Sequence, residues 1–196
     1  NEDAAYTIDW LTESRWASAG DDTTGYYVTY PELRAKDADN GADYSTVNAA
    51  IKRAAEQYKD SYADFTDSVT TSGYVTYMDD EKISVVFQHR LPEGESTLPK
   101  LTALNFRLET GEQIAPSEMI AIDDELVMRF RAQDQTQNGG VDFVTNSTDE
   151  ELLKLLSDPR ESAYFYSKAG LEVGFNYESE EYGKGWVSVT LKERAL

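Results

Sequence analysis

Runs of alternating apolar and polar residues, each ended by a turn-forming cluster, recur along this chain and restrict it to folds with a hairpin-built sheet. Residues 74–78 (YVTYM) and 83–89 (ISVVFQH) are joined by Asp79-Asp80-Glu81-Lys82. That is the pattern of a β-hairpin, because a pleated strand turns every second side chain to the same face. A third strand is expected over residues 101–109, after a loop from Pro92 to Pro99, closing in the turn Thr110-Gly111-Glu112-Gln113. Upstream, Tyr6, Ile8 and Trp10 alternate, residues 20–25 (GDDTTG) carry turn chemistry, and a short strand follows that Pro31 is expected to end. Downstream, residues 163–177 read as a hairpin turning at 168–170. In a last strand over residues 185–191, Trp186 falls out of phase with Val187, Val189 and Leu191.

Three segments change period. Val47, Ile51, Ala54, Tyr58, Tyr62 and Phe65 recur at steps of three and four, which predicts a helix over residues 44–65 capped by Asp43 or Ser45. Ile120, Leu126, Val127 and Phe130 make a weaker helical pattern with Asp123 as its cap, and the polar run 133–140 breaks it. Residues 148–159 are sharper: Thr148 and Glu151 form a capping box, Leu152 and Leu156 lie one turn apart, and Asp158-Pro159 stops the helix. Helices that interrupt hairpin-connected strands imply an α+β fold. The expected architecture is an antiparallel sheet or sheets with two to three packed helices in two intimately packed lobes, and not a parallel βαβ plan. Residues 1–196 read as one domain, with sub-lobes over 1–72 and 73–196.

The chain holds 18 Lys and Arg against 37 Asp and Glu, a net charge of −19. Such a field repels nucleic-acid phosphates and anionic membrane surfaces, and it attracts basic proteins or Ca²⁺. With no cysteine there are no disulfides, thiolate zinc sites or thiol chemistry. No apolar run approaches the roughly 18 residues of a membrane span. The start, Asn1-Glu2-Asp3-Ala4, lacks methionine and reads as that of a processed or a trimmed protein whose signal or anchor lies outside this sequence.

Catalytic constellations are scarce. His89, the single histidine, shares a strand face with Ile83, Val85 and Phe87, so it is expected as a hydrogen-bonded core-edge residue and not as a catalyst. Paired carboxylates suffice for a glycoside hydrolase, but 37 acids give no spacing that selects a pair. Asp37, Asp39 and Asp43 imitate the start of a calcium loop. They fail its template, because Ala42 stands where glycine is required and Asn48 where the bidentate acid belongs. Neither a Walker loop nor a GxGxxG or GxSxG motif is present, and no metal or cofactor is expected. The stretch 177–186 (YESEEYGKGW) mixes aromatics with acids at a strand connection. Tyr177, Glu178, Glu181, Tyr182 and Trp186 are therefore candidate binding residues.

The order VTYPEL, VNAAIKRAAEQY, YVTYMDDEKISVVFQHRL, ALNFRLETGEQIAPSEMI and YFYSKAGLEVGFNYESEEYGKGWVSVTL resembles one known domain family from about Tyr26 onward. It is the extracytoplasmic, lysozyme-sensing domain family of the anti-sigma factor RsiV, found also beside the catalytic domain of the peptidoglycan deacetylase PdaC. The resemblance rests most on NFRLETGEQI and on Phe165, Tyr166, Gly170, Leu171, Phe175, Tyr177, Glu178, Tyr182 and Gly185. Gly111 and Gly170 suit turns of positive φ. The family commonly has a Gly-Gly-Ala-His type motif between the strands that here flank 92–100, and this chain has none, so specificity of its own is expected at Glu93 and Glu95.

The resemblance implies a non-catalytic, extracytoplasmic binding or sensing module of a bacterial envelope protein, secreted or membrane-anchored. Its partner would be a basic protein such as lysozyme, or a cell-wall component such as peptidoglycan. Two other readings stay open: an envelope glycan hydrolase using paired carboxylates, and a structural accessory domain of a larger enzyme.

Overall fold

The computed structural model describes residues 4–16, 25–37, 41–59 and 68–192. Five strands, β1 (Tyr6–Trp16), β2 (Gly25–Ala35), β3 (Val69–Met78), β4 (Lys82–Glu93) and β5 (Ser96–Arg107), form one sheet in sequential order. Three more, β6 (Ser162–Tyr166), β7 (Leu171–Ser179) and β8 (Gly183–Leu191), form a second. The helices are α1 (Ser45–Ala55), α2 (Pro116–Met119), α3 (Asp124–Gln137), α4 (Asp142–Asn146) and α5 (Asp149–Ser157). The α+β class agrees with the sequence reading. The five-stranded sheet runs through residues 72–73, because β3 contains both.

One junction departs from the expected antiparallel pattern. β2 pairs with β3 in parallel, over Tyr26–Val69 to Thr29–Ser72, with α1 as the crossover between them. The helical period was visible, but the direction of the following strand depends on where the crossover returns the chain, which is a tertiary matter. Beyond Thr29 the two strands separate. There the α1 residue Asn48 takes over, accepting from Leu33 N (2.8 Å) and donating to Leu33 O (2.9 Å).

This separation also explains why β2 runs through Pro31 instead of ending there. Leu33 N points away from β1, and strand alternation aims Pro31 the same way. The N–H that proline lacks therefore falls on the side β3 has vacated.

Helix α1 ends at Ala55, ten residues short of the expected end. Glu56 caps it, Gln57 N donates to Ala54 O and Lys59 N to Glu56 O, so the chain tightens into turns. These turns bring Gln57 and Tyr58 onto His89. Tyr62 and Phe65 lie outside the described residues, as does Asp39 of the calcium-like stretch. Neither Asp43 nor Ser45 caps α1: Tyr44 holds the N-cap position without a side-chain cap, and the Asp43 carboxylate, one residue earlier, accepts from Ser45 N at 2.8 Å. Asp123 and the Thr148–Glu151 box cap α3 and α5 as read from sequence.

Three cores result. Val47, Ile51 and Ala55 of α1 pack against Tyr30, Val85 and Phe87 on one face of the large sheet. Leu126, Val127 and Phe130 of α3 and Leu152 and Leu156 of α5 pack against Val173, Phe175, Val187 and Val189 on the small sheet. Val86 and Leu101 meet Ala163, with Phe165 and Trp186 alongside, where the two sheets face each other. Trp186 points to the large sheet because it is out of phase with the valines of β8.

Candidate functional site

The segment from Pro92 to Pro99, expected as a loop, is the end of a continuous hairpin. Pro92 pairs with Thr97, Glu93 with Ser96 and Arg90 with Pro99, leaving Gly94 and Glu95 as the turn. Gly94 takes φ +59°, which lets two residues reverse the chain. Both prolines are tolerated near the tip, where the ladder ends.

The β7–β8 hairpin reverses at residues 180–182, with Ser179 opposite Gly183. Ser179 Oγ accepts from Glu181 N (3.2 Å) and Tyr182 N (3.1 Å), which builds the turn locally. Packing of the two sheets then brings the tips together. Lys184 Nζ lies 2.6 Å from Glu93 Oε1, and Lys100 Nζ lies 3.5 Å from Glu178 and 3.9 Å from Glu161. The Glu93 carboxylate, followed by Glu178 and Glu180, holds the Lys184 ammonium above its ordinary pKa. The rim therefore carries more carboxylates than ammoniums.

The sequence candidates divide into two groups on this rim. Glu95, Glu178 and Glu181 are exposed and Glu93 is half-buried. Tyr177 stacks on Phe143 (centroids 4.4 Å, 16° between planes), and burial raises its hydroxyl pKa. Trp186 fills the space between the sheets. Tyr182 is half-buried, and its hydroxyl is raised first by a hydrogen bond to Glu181. The acids face outward and the rings pack inward. Lys100, Lys184 and Glu161 were not legible as site residues, since nothing in sequence shows that β5, β6 and β8 meet.

Beside the rim, Gln88, His89, Arg90, Thr97, Pro99 and Trp186 line a groove of about 300 Å³. His89 is 1 % exposed. Its Nδ1 is 2.8 Å from Thr71 Oγ1 and its Nε2 3.0 Å from Thr102 Oγ1, while the Tyr58 ring meets it edge-on. Burial, helped by Lys100, pushes its pKa down to about 3. It is a neutral, hydrogen-bonded core residue, as the sequence implied.

A second charged cluster ties β1 to α1. Lys52 Nζ is 3.1 Å from Glu13, Lys59 Nζ is 2.9 Å from Glu56, and Tyr30 donates to Glu13 at 2.8 Å. Glu13 is held down to about 2 by the neighbouring Glu56 carboxyl, then by Tyr30 and Lys52. Among the described residues no group of three or more His, Cys, Asp or Glu is arranged to hold a metal ion.

The fold has solved counterparts. A DUF3298 family protein from Pseudomonas aeruginosa PAO1 superimposes with a TM-score of 0.59 at 11% identity, over 98% of this chain and 93% of that one. A DUF3298 family member from Bacteroides fragilis NCTC 9343 gives 0.53 at 12% identity, over 96% and 91%. DUF3298 is the domain family of the RsiV and PdaC type, so the fold implied by the resemblance and that of these neighbours coincide. At these identities the likeness concerns the fold. No protein-family profile matches the chain, and neither does any curated protein.

Proposed function

We propose that this chain is a non-catalytic binding module of the bacterial cell envelope, acting outside the cytoplasm, and that it engages a basic protein through the rim where the two hairpin tips meet. The observation that carries this reading is the 2.6 Å contact between Glu93 and Lys184. It marks where two acidic turns of different sheets meet in one surface, with Glu95, Glu178, Glu180 and Glu181 exposed on it. In a chain of net charge −19 such a surface steers a cationic partner over long range. Lysozyme is the basic protein that the family resemblance implies.

The hydrolase reading is less well supported. It needs two carboxylates roughly 5 or 6.5–9.5 Å apart with one pKa raised. Among the described residues, the carboxylates whose pKa moves, Glu13, Asp43, Asp79, Glu118, Glu151 and Asp158, all move down. They are anions for hydrogen bonding and charge pairing, not proton donors.

Association with lysozyme, measured by biolayer interferometry at low and at high salt, tests the proposal. Binding that weakens steeply with salt, and weakens further in Glu95→Gln with Glu181→Gln, is expected. No binding at low salt would overturn it.

A further inference from the structure

We infer that the outer face of β1, β2 and β3 is a second binding surface, one that takes a neutral polysaccharide by stacking sugar rings on a row of exposed aromatic side chains. Trp10 is 53% exposed, Trp16 42%, Tyr27 42% and Tyr74 46%. All four belong to the large sheet; strand alternation turns Trp16, Tyr27 and Tyr74 away from α1, and Trp10 continues the phase of Trp16 along β1 up to Ile8 and Tyr6, which fold back onto the α1 core. The register shows this directly. Ser14, Tyr27 and Thr70 lie side by side across the three strands, and Thr12, Thr29 and Ser72 form the next row. Trp10 and Trp16 extend the same face at its two ends, and Tyr74 follows Ser72 on β3. The opposite face of these strands carries Val28, Tyr30 and Thr71, which are buried beneath α1 and its following turns.

Two properties of this face select the occupant. First, none of these positions is charged, in a chain of net charge −19. The first charge met along a row is Arg90 on β4, opposite Thr70. A partner that relied on ion pairs would find none along these rows, where charge is met only at Asp79 and Lys168 in the groove at the Trp10 end, and a second copy of this acidic chain would approach against its own charge. Second, the rings are interleaved with serine and threonine hydroxyls. A pyranose presents an apolar C–H face ringed by hydroxyl groups, so a flat aromatic ring beside short hydroxyls matches both parts at once. Trp10 and Trp16 are six residues apart on one strand, about 20 Å at strand rise, so the platform spans several sugars. At the Trp10 end it opens into a groove of about 650 Å³ lined also by Ile8, Val75, Thr76, Asp79 and Lys168. Several large aromatic rings exposed on one side of a sheet are a mark of an interaction site.

This inference does not rest on the acidic rim, and the two are separable by salt. Affinity electrophoresis in native gels containing soluble glycol chitin or hydroxyethylcellulose tests it. The chain is expected to be retarded by at least one of these neutral polymers, equally at about 0.05 and 0.5 M salt, where charge contacts are increasingly screened. The double variant Trp10→Ala with Tyr27→Ala should bind at least roughly tenfold more weakly, the size expected from two lost ring contacts. Its circular dichroism and denaturation midpoint should match those of the unaltered chain, with Tyr74→Ala as a second, independent variant. Glu95→Gln with Glu181→Gln should bind polymer normally. No retardation by either polymer, or retention unchanged in both aromatic variants, overturns the inference. So does a concentration-dependent dimer, seen by sedimentation, that the aromatic substitutions dissolve, because the face is then a self-interface.

Discussion

The Asn176 carboxamide closes on the backbone of Leu101 from both sides, accepting from Leu101 N at 2.7 Å and donating to Leu101 O at 2.9 Å. Leu101 lies on β5, the edge strand of the large sheet, and Asn176 on β7 of the small one. One side chain thus supplies what a sixth strand would have supplied, and it does so in a buried place. The reverse contact is made by Ser84 and Asn105. Asn105 Nδ2 donates to Tyr164 O at 2.7 Å, and Ser84 Oγ accepts from Tyr166 N at 3.1 Å, on β6, the edge of the small sheet. The two sheets are joined by side chains that cap each other's open edges.

Replacing Asn176 with alanine leaves a buried N–H and C=O of Leu101 unpaired, at about 1–3 kcal/mol for each orphaned group. The Asn176→Ala chain should lose about 2–4 kcal/mol in urea denaturation, whereas Asn176→Asp, which keeps the acceptor, should bring a charge into the same buried place and be no better. A loss under about 0.5 kcal/mol would show that the clamp contributes little.

His89 makes stability depend on pH. Its pKa is about 3 in the fold against 6.5 for the free side chain, so between those values the unfolded chain binds a proton that the native one does not. Stability is then fully present above pH 6.5 and declines as pH falls toward 3, by about 3 kcal/mol at pH 4. Unfolding free energies across pH 7.5 to 4 should slope for the native chain. In His89→Gln the slope between pH 6.5 and 5 should flatten, since Glu13 and the other lowered carboxylates act at more acidic pH.

Gly174 has no room for a side chain. A Cβ there would collide with the Val187 carbonyl oxygen and sit 2.8 Å from Ser188 Cβ on the paired strand β8. Gly174→Ala should cost about 1–3 kcal/mol or more through forced separation of β7 and β8, read as a lowered thermal midpoint.

The pair of Glu93 and Lys184 should separate stability from binding. Both side chains are 39% exposed, and such pairs contribute about 0–1 kcal/mol to stability. Lys184→Met should therefore shift the denaturation midpoint little. Because it frees Glu93 and makes the rim more negative, it should strengthen low-salt association with lysozyme. An unchanged association rate would argue against the rim as the point of contact.

Much of the local structure was legible because its causes lie within a few residues. The Thr148–Glu151 box, the Asp123 cap, the hairpins at 79–82 and 168–170, the positive φ at Gly111 (+72°) and Gly170 (+148°), and the phase of Trp186 are all set by neighbours in the chain. Where the reading failed, a distant partner decided. Helix α1 stops early so that Gln57 and Tyr58 can reach His89. Pro31 sits inside a strand because β3 has already turned away.

By itself the sequence determined the fold class, the acidic field, the identity of most strands and the role of His89 as a core residue. These follow from period, capping and charge, which are properties of the chain read in order. Only the tertiary structure decided that β2 and β3 run parallel, that the tips bearing Glu93 and Lys184 meet, and that four exposed aromatic rings lie among serine and threonine positions of three neighbouring strands. Each of these depends on which strands become neighbours, and that is set by how the cores pack, through contacts between residues as far apart as Leu101 and Asn176.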